Sequence, residues 1–428
     1  MAEALAGVAL RAGVTGRAVH VVGGGLAGLS AALALADGGQ RVTLYEAGPQ
    51  AGGRCRSYFD RELGCVVDNG NHLLLSGNRA AFAYVDRIGA RETLGGPGEP
   101  FFPFLDARSG ERWTVRPSGG RLPWWIFSRA RRVPGTRPLD YLSLLRLRFS
   151  RSGATVASVL PHGALYERLL EPLAIAALNT RPEAGLASLL GAVVRETLMQ
   201  GGDACVPWFP RASLAASLVD PALDALNAAG ATVRLGQRVA ALRITGNRVA
   251  EIATPAGPIQ VAQGEAVVLA VPPSVAADLV PGLRAPTAFE AILNVHFRAE
   301  ADGARAGFVG LIGGVAEWVF AKPGHVSVTI SAANRMVDQP AESIAAAAWP
   351  DVCAAFGLSG PMPAWRVVKE KRATFAATAE QERLRPAAGS GLVNLTLAGD
   401  WTATGLPGTI EGAIRSGRTA AELLLHAA

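Results

Sequence analysis

Cysteine is sparse in this sequence and never in pairs: Cys55, Cys65, Cys205 and Cys353 are all there are, with no C-x-x-C among them. A zinc ribbon, a dithiol redox motif and a disulfide framework are thereby set aside, and the thiols read as reduced and incidental. The six histidines are scattered, so no metal site is indicated either. Long apolar runs are missing as well. The longest stretch without Asp, Glu, Lys or Arg, residues 18–36, is broken by Gly23, Gly24, Gly25 and Gly28, which excludes a membrane-spanning helix there. Residues 1–17 carry an early Glu3 and lack the charged-then-apolar order of a secretory signal, so a cytoplasmic location is expected. Acidic residues are nearly absent from 121–151, where Asp140 alone faces Arg121, Arg129, Arg131, Arg132, Arg137, Arg146, Arg148 and Arg151. Eight arginines against one aspartate give this segment +7, so the rest of a chain whose total is +6 is close to neutral. No nucleic-acid-binding motif accompanies the basic segment, and nucleic acid is not expected as a partner.

What is present begins with size. With 428 residues, half of them hydrophobic, the chain has room for two or three domains of ~150 residues. Its organising stretch starts with the apolar run AVHVV at 18–22, followed at once by GGGLAG at 23–28 and by a helix-forming run to Ala36. The pattern is strand, tight turn, helix. In Gly23-x-Gly25-x-x-Gly28 one glycine permits the turn, the next lets backbone N–H groups approach a phosphate, and the last lets helix and strand pack closely. The helix directs a partial charge of about +0.5 at the anion. A second strand, 41–45, ends in Glu46, 18 residues after Gly28, where a carboxylate can accept from ribose hydroxyls and repel a 2′-phosphate. This is the context that turns a glycine-rich turn into a dinucleotide site.

Two further stretches narrow the ligand. Residues 46–54, EAGPQAGGR, resemble the glycine-glycine-arginine continuation of the FAD-dependent amine oxidase and phytoene desaturase superfamily, in which the arginine meets the FAD phosphates. The residue types agree, since paired glycines let the chain pass close to a cofactor and a planar arginine grips phosphate in bidentate fashion. At the other end, LAGDW at 397–401 leads into GLPGTIEGA at 405–413 and a last helix. A strand ending in Gly-Asp and a glycine-rich turn opening a helix again offer a carboxylate and a helix N-terminus, here for the flavin end. In the same superfamily a D-x-G segment passes beside the flavin ring, and DNGNHLLLSG at 68–77 is similar to its squalene-associated branch. By resemblance, then, FAD is held non-covalently by Gly23, Gly25, Leu26, Ala27, Gly28, Glu46, Ala47, Gly53, Arg54, Gly70, Asn71, His72, Val239, Gly399, Asp400, Thr409, Ile410 and Ala413. Val239 enters by position alone, as a strand residue whose backbone touches adenine.

Between the motifs the chain reads as follows. Helices are expected over 78–88, over much of 155–200 with breaks at Pro161, Pro172 and Pro182, and over 213–229 with Pro221 inside it. Strands are expected over 112–116, 232–235, 238–244, 249–252, 289–297 and 326–330. Asn294 and His296 lie within such a strand and read as structural. Trp124, Trp125 and Phe127 stand just ahead of Arg129, Arg131 and Arg132, a combination suited to a membrane interface with anionic lipid. The resulting fold class is α/β: a Rossmann-like FAD-binding domain from 17–75, 205–285 and 385–428, and a discontinuous substrate domain of mixed sheet plus helices from 76–204 and 286–384. Segment 121–151 is the expected membrane-docking part.

The motifs together resemble the hydroxysqualene dehydroxylase branch of the superfamily over nearly the whole chain beyond residue 17. That resemblance implies reduction of hydroxysqualene to squalene by reduced flavin in hopanoid synthesis, an apolar isoprenoid substrate, contact with the inner face of the cytoplasmic membrane, and squalene-pathway enzymes as partners. The acid such a reaction needs is not identified. His72, Asp68 and Glu411 are candidates by proximity to the flavin motifs, and holding the cofactor is the simpler role for each. Three alternatives stay open: a carotenoid or phytoene-type desaturase, a flavin amine oxidase, for whose aromatic cage Trp401 is the one hint, and a flavin-binding structural partner without turnover.

Overall fold

Apolar strands, buried on both faces except at the exposed edge strand Thr232–Arg234, build the first layer. They are β1 (Ala18–Val22), β2 (Arg41–Tyr45), β3 (Thr232–Arg234), β4 (Ala266–Leu269) and β5 (Leu395–Leu397). All pair in parallel, in the order β3-β2-β1-β4-β5. Such a sheet needs helices on its faces, which is why β4 is apolar at every position. The computed structural model describes residues 16–301 and 305–426, so nearly all of the segment read above for a leader lies outside the described residues.

The strand order turns back between β1 and β4, and the crevice beyond their carboxyl ends is where this architecture takes ligands. Helix α1 (Leu26–Asp37) leaves β1 through the glycine turn and packs along the closing helix Ile410–His426. The contact is backbone-close, since a Cβ on Gly417 would fall 2.1 Å from Ala27 O. Ser30 Oγ donates to Ile414 O at 2.9 Å, and Gly38 meets Leu425. From Ser30 with Ile414 to Gly38 with Leu425 the residue numbers rise together, so the helices run the same way, their N-termini within about one turn, ~5 Å, of each other.

A second sheet of seven strands stands over this crevice. In order across the sheet they are Trp365–Phe375, Phe289–Phe297, His325–Ile330, Trp318–Lys322, Phe308–Ile312, Phe102–Asp106 and Arg112–Val115. Alternation puts Leu293, Val295 and Val328 on one face, against the helix Ala341–Phe356. Asn294, His296, Ser327 and Thr329 fall on the other and meet the 68–72 loop of the first unit. Asn294 Nδ2 donates to Asn69 O at 3.1 Å, and Asn71 Nδ2 donates to Ser327 Oγ at 2.8 Å and Thr329 Oγ1 at 3.0 Å. His296 Nε2–H donates to Asp68 O at 3.1 Å while its Nδ1 accepts from Ser327 Oγ at 2.9 Å. Desolvation pushes His296 down to about 3, so it is a neutral structural ring, as its sequence context had indicated.

Several elements differ from the sequence reading. The helix expected over 213–229 is two, Leu214–Leu218 and Asp220–Ala228, because Pro221 has no N–H to donate and takes the first turn of the second. The 155–200 region is broken into Val156–Val159, a π-turn at Tyr166–Leu170, Glu171–Leu178 and Ala187–Glu196, with Asn179 left-handed at φ 48° closing the third. The strand expected at 238–244 begins at Ala241, so Val239 lies in the preceding loop.

The two units are joined by a buried ion pair between Lys322 and Asp68, whose side chains are 5% and 2% exposed. Burial works against ionisation of Asp68, but Lys322, Ser57 Oγ at 2.6 Å and Leu214 N–H at 2.8 Å outweigh it and hold the carboxyl below its ordinary 3.8. Lys322→Met strands that carboxylate and is expected to cost about 3–5 kcal/mol, read as a drop in the denaturant midpoint. Because the folded pKa is depressed, the contribution of Asp68 is fully present above 3.8 and is lost as pH falls through the folded value, a loss that acid titration of the wild-type melting temperature will register. An unchanged midpoint in the variant would refute the assignment.

Candidate active site

The glycine turn after β1 shows why each glycine is needed. Gly23 has φ 110°, and a Cβ there would lie 2.3 Å from Ala270 O; a Cβ on Gly28 would lie 1.9 Å from Gly23 O. Gly25 is different. Apart from its neighbours along the chain, no atom of the described residues lies within 4 Å of the position its Cβ would take. It caps α1 without any side-chain bond, so the first-turn N–H groups of the helix face that open space without a capping side chain. A backbone cradle of this kind fits a pyrophosphate. Glu46 closes one side, its carboxylate accepting from Gly24 N at 2.8 Å and Gly48 N at 2.7 Å. Val239 stands beside it, since Gln237 N donates to Glu46 O at 2.8 Å.

The second glycine pair docks on the first. Gly52 N donates to Gly24 O at 2.8 Å, Gly25 and Gly52 form a parallel bridge, and Gly53, with φ 56°, lies against Gly25 Cα. Arg54 then reaches across the molecule: Nη2 donates to Asp400 Oδ1 at 2.7 Å and Nη1 to Ala373 O at 2.5 Å. Asp400 is buried while the arginine side chain keeps 43% of its surface, so the guanidinium is anchored through both Nη atoms and stays partly accessible. Gly399 has φ 146°, donates to Ser416 Oγ at 2.8 Å, and leaves no room for a Cβ beside Trp401. Thr409 Oγ1 accepts from Gly412 N at 3.1 Å and so caps the closing helix, with Ile410 buried and Ala413 half-buried behind it. The amino- and carboxyl-terminal motifs are thus brought side by side.

Between them runs 68–73. Gly70 is buried against Asn294, and Asn69 Oδ1 and Asn71 Oδ1 are buried acceptors with no partner among the described residues. Buried orphans are rare in folded proteins and mark polar positions that a ligand or water satisfies. His72 is half-buried, and desolvation, aided by Arg54 and Lys322 and opposed by Asp68, pushes it down to about 4. After it comes an apolar wall in which Leu73, Phe102, Phe209 and Trp318 pack on buried Phe101, Phe308 and Phe320. The orphaned acceptors, open helix N-terminus and forked arginine fit FAD, with Gly25 and α1 at the pyrophosphate and 399–413 at the flavin.

The candidate acids are otherwise engaged. Asp68 is committed to Lys322, Ser57 and Leu214. Glu411 accepts from Ala80 N at 3.1 Å, Ala81 N at 2.8 Å and Arg415 Nη2 at 2.8 Å, so it caps the helix Arg79–Arg87. His72 is neutral near pH 7. Trp401, the hint of an aromatic cage, is 1% exposed with Nε1 bonded to Val271 O at 2.9 Å, and it belongs to the core. What sequence reasoning missed is Lys322 and the Ser327 and Thr329 partners around Asn294, whose polar alternation within apolar strands was the available signal.

Segment 121–151 wraps the surface of the second unit in short turns, Trp124–Phe127, Pro138–Leu144 and Leu145–Arg148. Trp125 and Tyr141 are core, while Trp124, Phe127, Leu139 and Phe149 are 65%, 63%, 73% and 78% exposed among exposed arginines. A surface depression of about 460 Å³ lies here, lined by Leu145, Arg146, Phe149, Arg151 and Val159, none of which belongs to a flavin motif.

The two kinds of glycine separate experimentally. Gly28→Ala is expected to disrupt the turn and lose both flavin and stability, whereas Gly25→Ala should fold with an unchanged melting temperature yet retain much less FAD, measured as absorbance near 450 nm. Full flavin content in purified Gly25→Ala would remove the pyrophosphate from this position.

The family description "flavin containing amine oxidoreductase" matches residues 26–301 and 318–425. The chain is 49% identical to the hydroxysqualene dehydroxylase of Sinorhizobium fredii over 408 residues, covering 95% of this chain and 98% of that one. It is 48% identical to that of Rhodopseudomonas palustris over 414 residues, covering 96% and 99%. Among solved structures it shares the fold of cyclohexylamine oxidase from Brevibacterium oxydans, with a TM-score of 0.67, 17% identity, and coverage of 95% of this chain and 98% of that one. From its cofactor cradle to its near-complete match with these relatives, this chain is an FAD-dependent enzyme of the flavin-containing amine oxidoreductase family and belongs to its hydroxysqualene dehydroxylase branch.

Proposed function

We propose that this enzyme replaces the hydroxyl group of hydroxysqualene by hydrogen, releasing squalene and water. The observation that carries the reading is an identity of 48–49% to hydroxysqualene dehydroxylases that extends over 95–96% of the chain, wall and cradle alike. The chemistry agrees with the site. Bound reduced FAD supplies a hydride. The protein orients an allylic alcohol against the apolar wall of Leu73, Phe102, Phe209 and Trp318, and it supplies a proton, because hydroxide is a poor leaving group until protonated. A small cation would find no exposed cage at Trp401, which argues against amine oxidation. FAD is held without a covalent bond in this proposal, since Cys55 and Cys205 are buried and desolvation pushes each thiol up to about 12. The division into an FAD-binding and a substrate domain, and the roles given above to the motif residues, including phosphate contact by the accessible part of Arg54, are part of it. So is a place in hopanoid synthesis beside the other squalene-forming enzymes.

The proposal extends to where the substrate comes from. A C30 hydrocarbon partitions into lipid, and the arginines among exposed Trp124, Phe127, Leu139 and Phe149 match an anionic bilayer surface, with ~1 kcal/mol of attraction per basic residue. No helix among the described residues is long and apolar enough to cross a membrane, so the contact would be peripheral.

Purified, reduced enzyme incubated with hydroxysqualene is expected to yield squalene by mass spectrometry. Desaturated phytoene or peroxide from amines, in place of squalene, would overturn the reading. In liposome flotation the enzyme should rise with anionic but not neutral vesicles, and neutralising Arg129, Arg131 and Arg132 should abolish it; binding that ignores these substitutions would sink the docking surface.

A further inference from the structure

A carbon that loses a protonated hydroxyl group carries positive charge until a hydride reaches it. Within an apolar wall the face of an aromatic ring can answer that charge. The ladder registers of the second sheet show which ring is placed to do so. Asn294 pairs with Thr329, Thr329 with Trp318, Trp318 with Gly310, Gly310 with Phe104 and Phe104 with Trp113, so these residues form one row on one face. Along the row the chemistry changes once. Thr329 Oγ1 donates to Asn294 Oδ1 at 3.0 Å and accepts from Asn71 Nδ2 at 3.0 Å, within the loop that carries the orphaned Asn71 Oδ1. From Trp318 onward the row is apolar. Trp318 is thus the first aromatic ring in the row beyond that loop, its Cβ about 5 Å from that of Thr329.

The neighbouring row repeats the pattern, with His296 and Ser327 followed by Phe320, Phe308 and Phe102. Gly310 shapes how the indole lies. A Cβ there would fall 3.0 Å from Trp318 Cζ3 and 2.8 Å from Phe104 Cδ1, so both rings lean across the glycine. Phe104 meets the indole at 5.7 Å and 60°, and Phe308 meets it at 6.0 Å and 52°. Phe104, Phe308 and Phe320 are buried, whereas Trp318 is half-buried, so a ring braced by buried neighbours still has surface to offer. Phe102, also half-buried, lies two strands further from Thr329, roughly 10 Å away. Lys322 shares the face four residues along the strand, about 13 Å from Trp318, and its charge is matched by Asp68.

We propose that Trp318 is a catalytic residue whose π face stabilises the allylic cation formed as the hydroxyl group departs, a role that rests on the dehydroxylase reading. A proton delivered from solvent joins the hydroxyl oxygen, the C–O bond breaks with its electron pair on oxygen, and water leaves. The allylic carbon carries the positive charge against the indole until a C–H bond forms with hydride from reduced FAD, the substrate gaining the two electrons that the flavin loses. Polar groups at Thr329 and Asn71 stand on the side from which water departs, and the aromatic rows receive the hydrocarbon chain.

Trp318→Phe and Trp318→Leu, each purified with FAD, keep the wall apolar while weakening and removing the π face. In single turnovers of the reduced enzyme Trp318→Leu should form squalene on the order of tenfold more slowly, with FAD content and hydroxysqualene affinity near those of wild type, and Trp318→Phe should fall between. A second readout needs no turnover. Oxidised wild type should bind an isoprenoid ammonium, with nitrogen in place of the reacting carbon, about tenfold more tightly than the uncharged ether of the same chain, and Trp318→Leu should lose most of that ratio. Fluorinated tryptophans placed at 318 alone keep the shape of the ring while draining its face of negative charge, so they decide the matter even where Trp318→Leu does not fold. Rate and binding ratio should both decline with each added fluorine. A ratio that survives in Trp318→Leu, or a fluorine series without effect on rate and ratio, overturns the proposal. A wild type that makes no squalene overturns the dehydroxylase reading and this catalytic role with it, even where the ammonium is preferred.

Discussion

Arg54 and Asp400 stand 346 residues apart in the chain and 2.7 Å apart in space, and the active site depends on that contact. A dinucleotide as long as FAD cannot be held from one end. In the proposed arrangement its pyrophosphate lies at the N-terminus of α1 and its flavin at the turn before the closing helix, and the two must stay at a set separation. The parallel packing of those helices through Gly417 sets the stagger, and the arginine, carried on a glycine pair docked against Gly25, locks the motifs laterally. An ion pair with one partner buried serves this purpose well. It gains more from its reduced dielectric than a surface pair would, and the part of the guanidinium that remains accessible can still meet an anion.

The second sheet is fastened to this clasp by polar groups. Lys322, Asn294, His296, Ser327 and Thr329 project from strands that are otherwise apolar and bond to the loop that carries Asp68, Asn69, Gly70 and Asn71. Directional bonds fix one register between the units, which a purely apolar contact would leave adjustable. The consequence for chemistry is a division of labour. Polar groups near Gly70 hold position, and the aromatic wall beyond His72 offers an apolar surface.

Much of this was legible beforehand because it is local. The strand-turn-helix at 18–36 and the Gly-Asp turn at 397–413 announce themselves through backbone sterics, since only glycine tolerates the φ values and close approaches found at Gly23 and Gly399. Strand 289–297 and helix 78–88 followed from periodicity alone. The misreadings share a cause. Pro221 looked interior to a helix because apolar spacing continues across it, although its missing N–H demands a new start. Asp68 and Glu411 stood as candidate acids, with holding the cofactor the simpler role for each, because a sequence lists a carboxylate without its partners.

The sequence by itself pointed to a dinucleotide flavin, to the motifs proposed to hold it, and to a basic aromatic segment apart from them, because each of these is written in short-range patterns of residue type. Tertiary structure alone decided which side chains are spent on architecture and which remain available. Whether a carboxyl is ionised or bonded depends on burial and on partners hundreds of residues away, as Lys322 is for Asp68 and as Ala80 and Ala81 are for Glu411, and no local pattern encodes that distance.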